Sequence, residues 1–285
     1  MPTLNFDDIN LYYEVYGLGQ PFILHHGLSS SCQMWYEHIS WLSKKCKLVI
    51  FDARGHGLTT AVSGDDRYSW EIMADDMNRL MLHLGVDKAI IGGLSMGGGV
   101  SLTFATKYQE KVQALIISDV AGTGEQGNPM ASIKISPQQE EAREQLIRLY
   151  GTVEMGRRSI AAGLVPRQVL ESEKLQHEYL ERMARFSVNG AIYASKFVYS
   201  TIIPRKEKVK DIAVPALIII GEEDFGCLPG ARWARDVFAN RRYVVLKNVG
   251  HSTSRYRPEA WQAAMKSFLD DLASGKDISG EIQIS

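Results

Sequence analysis

The chain has 285 residues, 45% of them hydrophobic and 23% charged, with a formal net charge of -1. That length supports one large core with a substantial insertion. The near-neutral balance offers no electrostatic reason to bind a phosphate backbone, so nucleic acid is not expected as a partner. The longest apolar runs, such as Ala216 to Ile220, are strand-sized and far short of the roughly 20 residues that span a bilayer, so no membrane partner is expected either.

The opening segment MPTLNFDDINLYYEV lacks a basic stretch followed by an apolar run and a small-residue cleavage site, and a soluble, cytoplasmic protein is expected. Leu4 to Phe6 and Leu11 to Tyr16 read as a hairpin around Asp7 to Asn10, and Phe22 to Leu24 and Leu48 to Phe51 as buried strands. Trp70 to Leu84 carries Ile72, Met73, Met77, Leu80, Met81 and Leu84 at helical spacing and stops at Gly85, a suitable C-terminal cap. Ala89 to Ile91 and Ala114 to Ile117 are the next strands. This alternation is the signature of an α/β fold with a mostly parallel sheet covered on both faces.

The texture changes between Gly122 and Pro204, where strand-like runs vanish and Gln138 to Tyr150, Leu170 to Phe186 and Ala191 to Ile202 read as amphipathic helices. Alternation resumes with the strand Ala216 to Ile220, a helix near Ala231 to Phe238, the strand Tyr243 to Leu246 and a helix from Pro258 to Leu272. The expected organisation is a core of residues 1–121 and 206–285 with a helical cap of residues 122–205 inserted between them. The tail after Ser274, rich in Gly, Ser and charge, is expected to fray.

The sharpest local feature is Gly93-Leu94-Ser95-Met96-Gly97, set between a strand and an apolar helix. So tight a strand-to-helix turn strains the serine backbone, and only minute side chains fit two residues to either side. The glycines there have no G-x-G-x-x-G register and no following Lys-Ser or Lys-Thr pair, so phosphate binding is rejected. A serine hydroxyl is a weak nucleophile and needs a base, and His251 follows Gly250 just past the last core strand. The base needs a carboxylate to fix its tautomer. Gly221-Glu222-Glu223-Asp224 offers three at a strand end, of which Asp224 lies furthest into the loop; Asp119 is the rival. The oxyanion donors expected are the backbone amides of Met96, next to the nucleophile, and Leu28, in the loop His26-Gly27-Leu28.

His25 and His26 are adjacent and lack a third ligand, so they read as turn histidines, not a metal pair. His38, His83 and His177 read as surface-loop histidines. Cys32, Cys46 and Cys227 show no metal spacing and suit reduced, incidental thiols. No metal and no cofactor are expected.

These pieces resemble the α/β-hydrolase superfamily over nearly the whole chain. The resemblance rests on His26-Gly27 followed by Trp35, Asp52-Ala53-Arg54-Gly55-His56-Gly57, Gly93-Leu94-Ser95-Met96-Gly97-Gly98, Gly221-Glu222-Glu223-Asp224 and Gly250-His251, in the family order. Within it the loop at Asp52 and the elbow at Ser95 look most like enol-lactone hydrolases such as 3-oxoadipate enol-lactonase, small esterases and non-haem perhydrolases. The segment at His26 differs from the Asn-Ser-Leu-Gly type stretch usual in enol-lactonases and is similar to that of general esterases and carbon-carbon bond hydrolases. Dehalogenases and epoxide hydrolases of this fold carry an aspartate where this chain has Ser95. Arg54 and His56 are expected to brace the loop beneath the site.

The resemblance implies hydrolysis of a carboxylic ester or lactone through an acyl-enzyme, with carbon-carbon bond hydrolysis of a vinylogous diketone and a non-catalytic ligand receptor as the alternatives. The cap would form the substrate pocket. Its candidate residues are Met155, Leu164, Phe186, Tyr193 and Phe197, with Trp35 as a further wall, and they point to a small-molecule substrate with a hydrophobic portion. A homodimer is a possible assembly.

Overall fold

A computed structural model describes residues 2–120, 136–200 and 206–285. Its centre is a nine-stranded sheet in the order β1-β2-β4-β3-β5-β6-β7-β8-β9. Strands β1 (Thr3–Phe6) and β2 (Ile9–Tyr16) form an antiparallel hairpin, and β2 runs antiparallel to β4 (Lys47–Phe51). From there β3 (Pro21–His25), β5 (Ala89–Leu94), β6 (Val112–Ser118), β7 (Ala216–Gly221), β8 (Arg241–Leu246) and β9 (Gly280–Ile284) pair in parallel.

The central strands are apolar throughout because both sheet faces are covered, and successive side chains point to opposite faces. Ile23, Val49, Phe51, Ile91 and Ile117 join one buried cluster, while Phe22, Leu24, Leu48, Ile50, Ile90 and Ile116 join the other. Each such side chain taken fully out of water contributes about 1.5–3 kcal/mol. Helix α1 (Tyr36–Leu42) belongs to the second face, and helices α2 (Trp70–His83) and α3 (Met96–Lys107) cover the first. Helix α2 begins where the Ser69 hydroxyl accepts the Ile72 amide at 3.1 Å, an N-cap bond, and the chain turns out of it through Gly85 at φ +61°.

Between β6 and β7 lie α4 (Pro137–Ala161), α5 (Arg167–Leu170), α6 (Glu173–Ala184), α7 (Ser195–Ser200) and α8 (Lys206–Val209). A capping box of Ser136 and Gln139 opens α4, and non-helical backbone at Gly151 divides it. A five-residue π-helical stretch, Gly190–Ala194, leads into α7. The expected helix end at Ile202 and the segment 121–135 lie outside the described residues. After β7 come α9 (Leu228–Val237), α10 (Thr253–Tyr256) and α11 (Pro258–Ala273), the last packed on the second face through Trp261, Met265 and Phe268.

Three expectations are corrected. The tail does not fray: β9 extends the sheet, because Ile284 packs on the second cluster while Glu281 and Gln283 stay exposed. His38 is no surface-loop residue; it is 1% exposed and donates from Nε2 to the Ser254 carbonyl at 3.1 Å. His83 and His177 are exposed as expected but sit on helices, α2 and α6, and the His83 Nε2 lies 3.1 Å from the Tyr13 hydroxyl.

Candidate active site

Strand β5 ends at Leu94 and α3 begins at Met96, so the whole reversal falls on Ser95, held at φ 56° and ψ −116°. A non-glycine residue there is strained, and the neighbouring chain must over-determine it. The constraint is crowding: a Cβ on Gly93 would stand 2.3 Å from the Gly97 carbonyl carbon, and one on Gly97 would stand 2.3 Å from the His25 carbonyl oxygen. Substitution at either position would push the turn apart. The Ser95 side chain takes no part in capping α3.

The loop after β3 passes over this turn. A Cβ on Gly27 would lie 3.6 Å from that of Ser95. His26 fixes the loop by donating from Nδ1 to the Gly27 carbonyl at 2.7 Å and accepting the Ala53 amide on Nε2 at 2.9 Å. Leu28 is half-buried and packs against both the main core and the cluster of the inserted helices. Met96 is 1% exposed and belongs to the core cluster.

The three acids after β7 go to three different partners. Glu222 meets Lys247 Nζ at 2.6 Å; Glu223 accepts from the Nη2 and Nε of Arg167, at 3.0 Å and 3.2 Å; Asp224 Oδ2 accepts from His251 Nδ1 at 2.7 Å. The two loops lie on one another, since the Glu223 amide bonds the Val249 carbonyl at 2.9 Å and a Cβ on Gly221 would meet the Gly250 carbonyl at 2.4 Å. With Nδ1 donating to a carboxylate, Nε2 carries the lone pair of the neutral His251 ring.

Asp119 takes different hydrogen-bond partners. Its Oδ2 accepts the Thr253 amide and hydroxyl, each at 2.8 Å, and its Oδ1 accepts the Gly221 amide at 3.3 Å. It therefore ties the loop after β7 to the turn that follows His251. Burial and the Asp224 carboxylate push Asp119 up to about 7, against the pull of His251 and Thr253.

Sequence reasoning missed Cys227, whose Sγ lies 3.5 Å from His251 Nδ1. Burial disfavours charge on His251, while the Cys227 sulfur and the Asp224 carboxylate favour it, and the balance leaves its pKa well above the ordinary 6.5. Burial pushes the Cys227 thiol up to about 11. The thiol is thus uncharged near neutrality, and the Asp224 hydrogen bond is the attraction that operates there.

The expected pocket residues separate. Trp35 is a correction: a helical turn at Cys32–Trp35 sends it to the far side of the sheet, where it is 0% exposed and lies 5.7 Å from the Trp261 ring. Phe186 stacks on His56 with centroids 4.7 Å apart, Tyr193 stacks on Tyr68 at 6.0 Å, and Phe197 meets Trp70 edge-on at 5.0 Å. Met155 and Leu164 line a groove of about 280 Å³ within the inserted helices, and neither Ser95 nor His251 is among its walls.

The loop at Arg54 seats these helices. Arg54 makes two bonds of 2.7 Å to Asp76 within the core, Ser187 Oγ donates to the Gly55 carbonyl at 2.6 Å, and a Cβ on Gly190 would stand 2.0 Å from that same oxygen. His25 and His56 are fully enclosed, each donating from Nδ1 to a backbone carbonyl.

A mostly parallel sheet with a strained serine between strand and helix, and an acid and a histidine on later strand-end loops in that chain order, defines the hydrolase-type α/β architecture. A family model described as the alpha/beta hydrolase fold matches residues 20–255, and the chain belongs to that family. The chain is 25% identical over 225 residues to 3-oxoadipate enol-lactonase 2 of Acinetobacter baylyi, covering 78% of this chain and 79% of that protein. Among solved structures it resembles the enol-lactonase from Burkholderia xenovorans LB400, with a TM-score of 0.80 at 22% identity over 94% of this chain and 100% of that one. A thermophilic esterase from Thermogutta terrifontis gives a TM-score of 0.77 at 24% identity over 93% and 94%. Among the described residues no helix is long and apolar enough to cross a membrane.

Proposed function

We propose that this protein is a serine hydrolase that cleaves a carboxylic ester or lactone through an acyl-enzyme on Ser95. The observation that carries the reading is the 2.7 Å contact between His251 Nδ1 and Asp224 Oδ2, on loops at the sheet edge where β5 delivers Ser95. The names of the enol-lactonase and esterase relatives support the same substrate class.

His251 Nε2 takes the Ser95 hydroxyl proton as Oγ attacks the carbonyl carbon, and Asp224 steadies the resulting imidazolium. The amides of Leu28 and Met96 hold the oxyanion, each such donor being worth roughly 10² to 10³ in rate. His251 then protonates the leaving alcohol, and in a second half-reaction it activates the water that releases the acid. Residues 122–205 act as the cap, in which Phe186, Tyr193 and Phe197 frame the pocket from behind and Met155 contributes to the cap interior. Their apolar character favours a substrate with a hydrophobic portion.

A fluorophosphonate should label Ser95 stoichiometrically in folded protein, and Ser95→Ala should abolish turnover of p-nitrophenyl esters and lactones while changing stability by less than about 1 kcal/mol. Absence of the label, or turnover by Ser95→Ala near that of the parent, would sink the proposal. Cleavage of simple aryl esters separates it from carbon-carbon bond hydrolysis.

A further inference from the structure

We propose that Asp224, Cys227 and His251 form an inhibitory site for a thiophilic divalent cation of the zinc type. A carboxylate oxygen, a sulfur and an imidazole nitrogen from these residues all lie within 4.8 Å of one another. Cys227 Sγ is 3.5 Å and Asp224 Oδ2 is 2.7 Å from His251 Nδ1. Metal-ligand distances of about 2.0–2.3 Å in a tetrahedral zinc site put its ligand atoms about 3.3–3.8 Å apart. The sulfur-nitrogen separation already meets that, the oxygen need withdraw from Nδ1 by less than about 1 Å, and the oxygen-sulfur separation, within 4.8 Å, need close by about 1 Å at most.

The donor set selects the ion. One soft sulfur with one nitrogen and one oxygen suits zinc or cadmium, whereas calcium and magnesium seek oxygen alone. Three protein ligands leave a fourth position for water. The His251 side chain is 35% exposed, while Asp224 is 7% exposed, so an ion enters past the imidazole edge onto donors already held in the protein. Two of the three donors come from one short loop whose backbone is fixed by the bond from the Cys227 amide to the Asp224 carbonyl at 3.0 Å.

Occupancy and catalysis exclude one another. An ion on Nδ1 takes the lone pair at that nitrogen, so the proton of the neutral ring must reside on Nε2, and Cys227 gives up its thiol proton to solvent as the metal-sulfur bond forms. Nε2 then carries hydrogen where the reaction needs a free lone pair, and Asp224 is withdrawn from the imidazole. The inhibitory consequence rests on the proposed role of His251; the binding of the ion does not.

The test uses the full chain freed of metal by chelation. Titration with cadmium should produce an ultraviolet thiolate-to-metal charge-transfer band that saturates at a single equivalent, in the parent and in Ser95→Ala alike. Cys227→Val should lose the band, and Cys32→Ala should keep it. Zinc should inhibit ester hydrolysis reversibly on addition of chelator, and Cys227→Val should raise the inhibitory concentration by about tenfold or more. Cys227→Ser, checked for folding by circular dichroism, stands in if the valine variant fails to fold, because its oxygen gives no thiolate band. No cadmium band on folded protein, a band that survives loss of Cys227, or equal zinc inhibition of parent and variant would each overturn the site. If no ester or lactone is hydrolysed, the proposed function falls, and the cadmium band still decides the site.

Discussion

At the scale of single residues, the pair His251 and Asp224 sets a pH dependence whose sign can be worked out. In the proposed mechanism His251 must be uncharged at Nε2 to accept a proton, and its pKa is displaced above 6.5. The kcat/KM profile, which reports the free enzyme, should therefore fall as pH drops through a midpoint above the ordinary histidine value. Asp224→Asn removes the carboxylate that holds the charge. It should move the midpoint down and lower kcat by about 10⁴-fold, since the amide can also favour the wrong tautomer. Steady-state rates between acid and alkaline pH check both, and a midpoint unmoved by the substitution would count against the pairing. Asp119 instead accepts from the Thr253 amide and hydroxyl.

At the scale of elements, the fit between the inserted helices and the loop at Arg54 is set by one missing side chain. Gly190 lies so close to the Gly55 carbonyl that an added Cβ would come to 2.0 Å from it, with no flexible side chain to give way. Gly190→Ala should force the π-helical stretch off the loop, break the bond from Ser187 to the same oxygen and unstack Phe186 from His56. The expected cost is about 1–3 kcal/mol of stability. Gly190 neighbours Phe186, one of the residues proposed to frame the pocket, and is not among the proposed catalytic residues, so KM should rise more than kcat falls. Denaturant unfolding and steady-state kinetics measure the two effects, and unchanged values of both would show that the helices are seated elsewhere.

For the molecule as a whole, buried histidines dictate instability in acid. Burial pulls His25 down to about 3 and His26 and His38 to about 4, and it takes His56 well below its ordinary value as well. A histidine with a depressed folded pKa adds stability that is fully present above its unfolded value of 6.5 and is lost as pH falls toward the folded value. Each such group adds a slope of about 1.4 kcal/mol per pH unit in that window, and net stabilities of about 5–15 kcal/mol are small beside four such slopes. The melting temperature should drop steeply below pH 6.5, the ordinary value for these rings. Thermal unfolding followed across that range checks it; a flat profile would mean these rings are hydrated in the folded state.

Period, turn chemistry and short-range crowding are local, so the α/β class, the family and the chain order of its motifs were legible in the residues. Gly93 and Gly97 announce the turn at Ser95, and the alternation of Glu281, Ile282, Gln283 and Ile284 carries the signal for β9, masked by the polar residues before it. How groups distant in the chain meet depends on the packed fold. It gave Glu222 to Lys247, Glu223 to Arg167 and Asp224 to His251, turned Trp35 to the far face, and buried His38 against α10. It also set Cys227 beside an imidazole 24 residues away. No spacing rule reaches across that gap, because the contact exists only where parallel strands β7 and β8 bring their following loops together at one edge of the sheet.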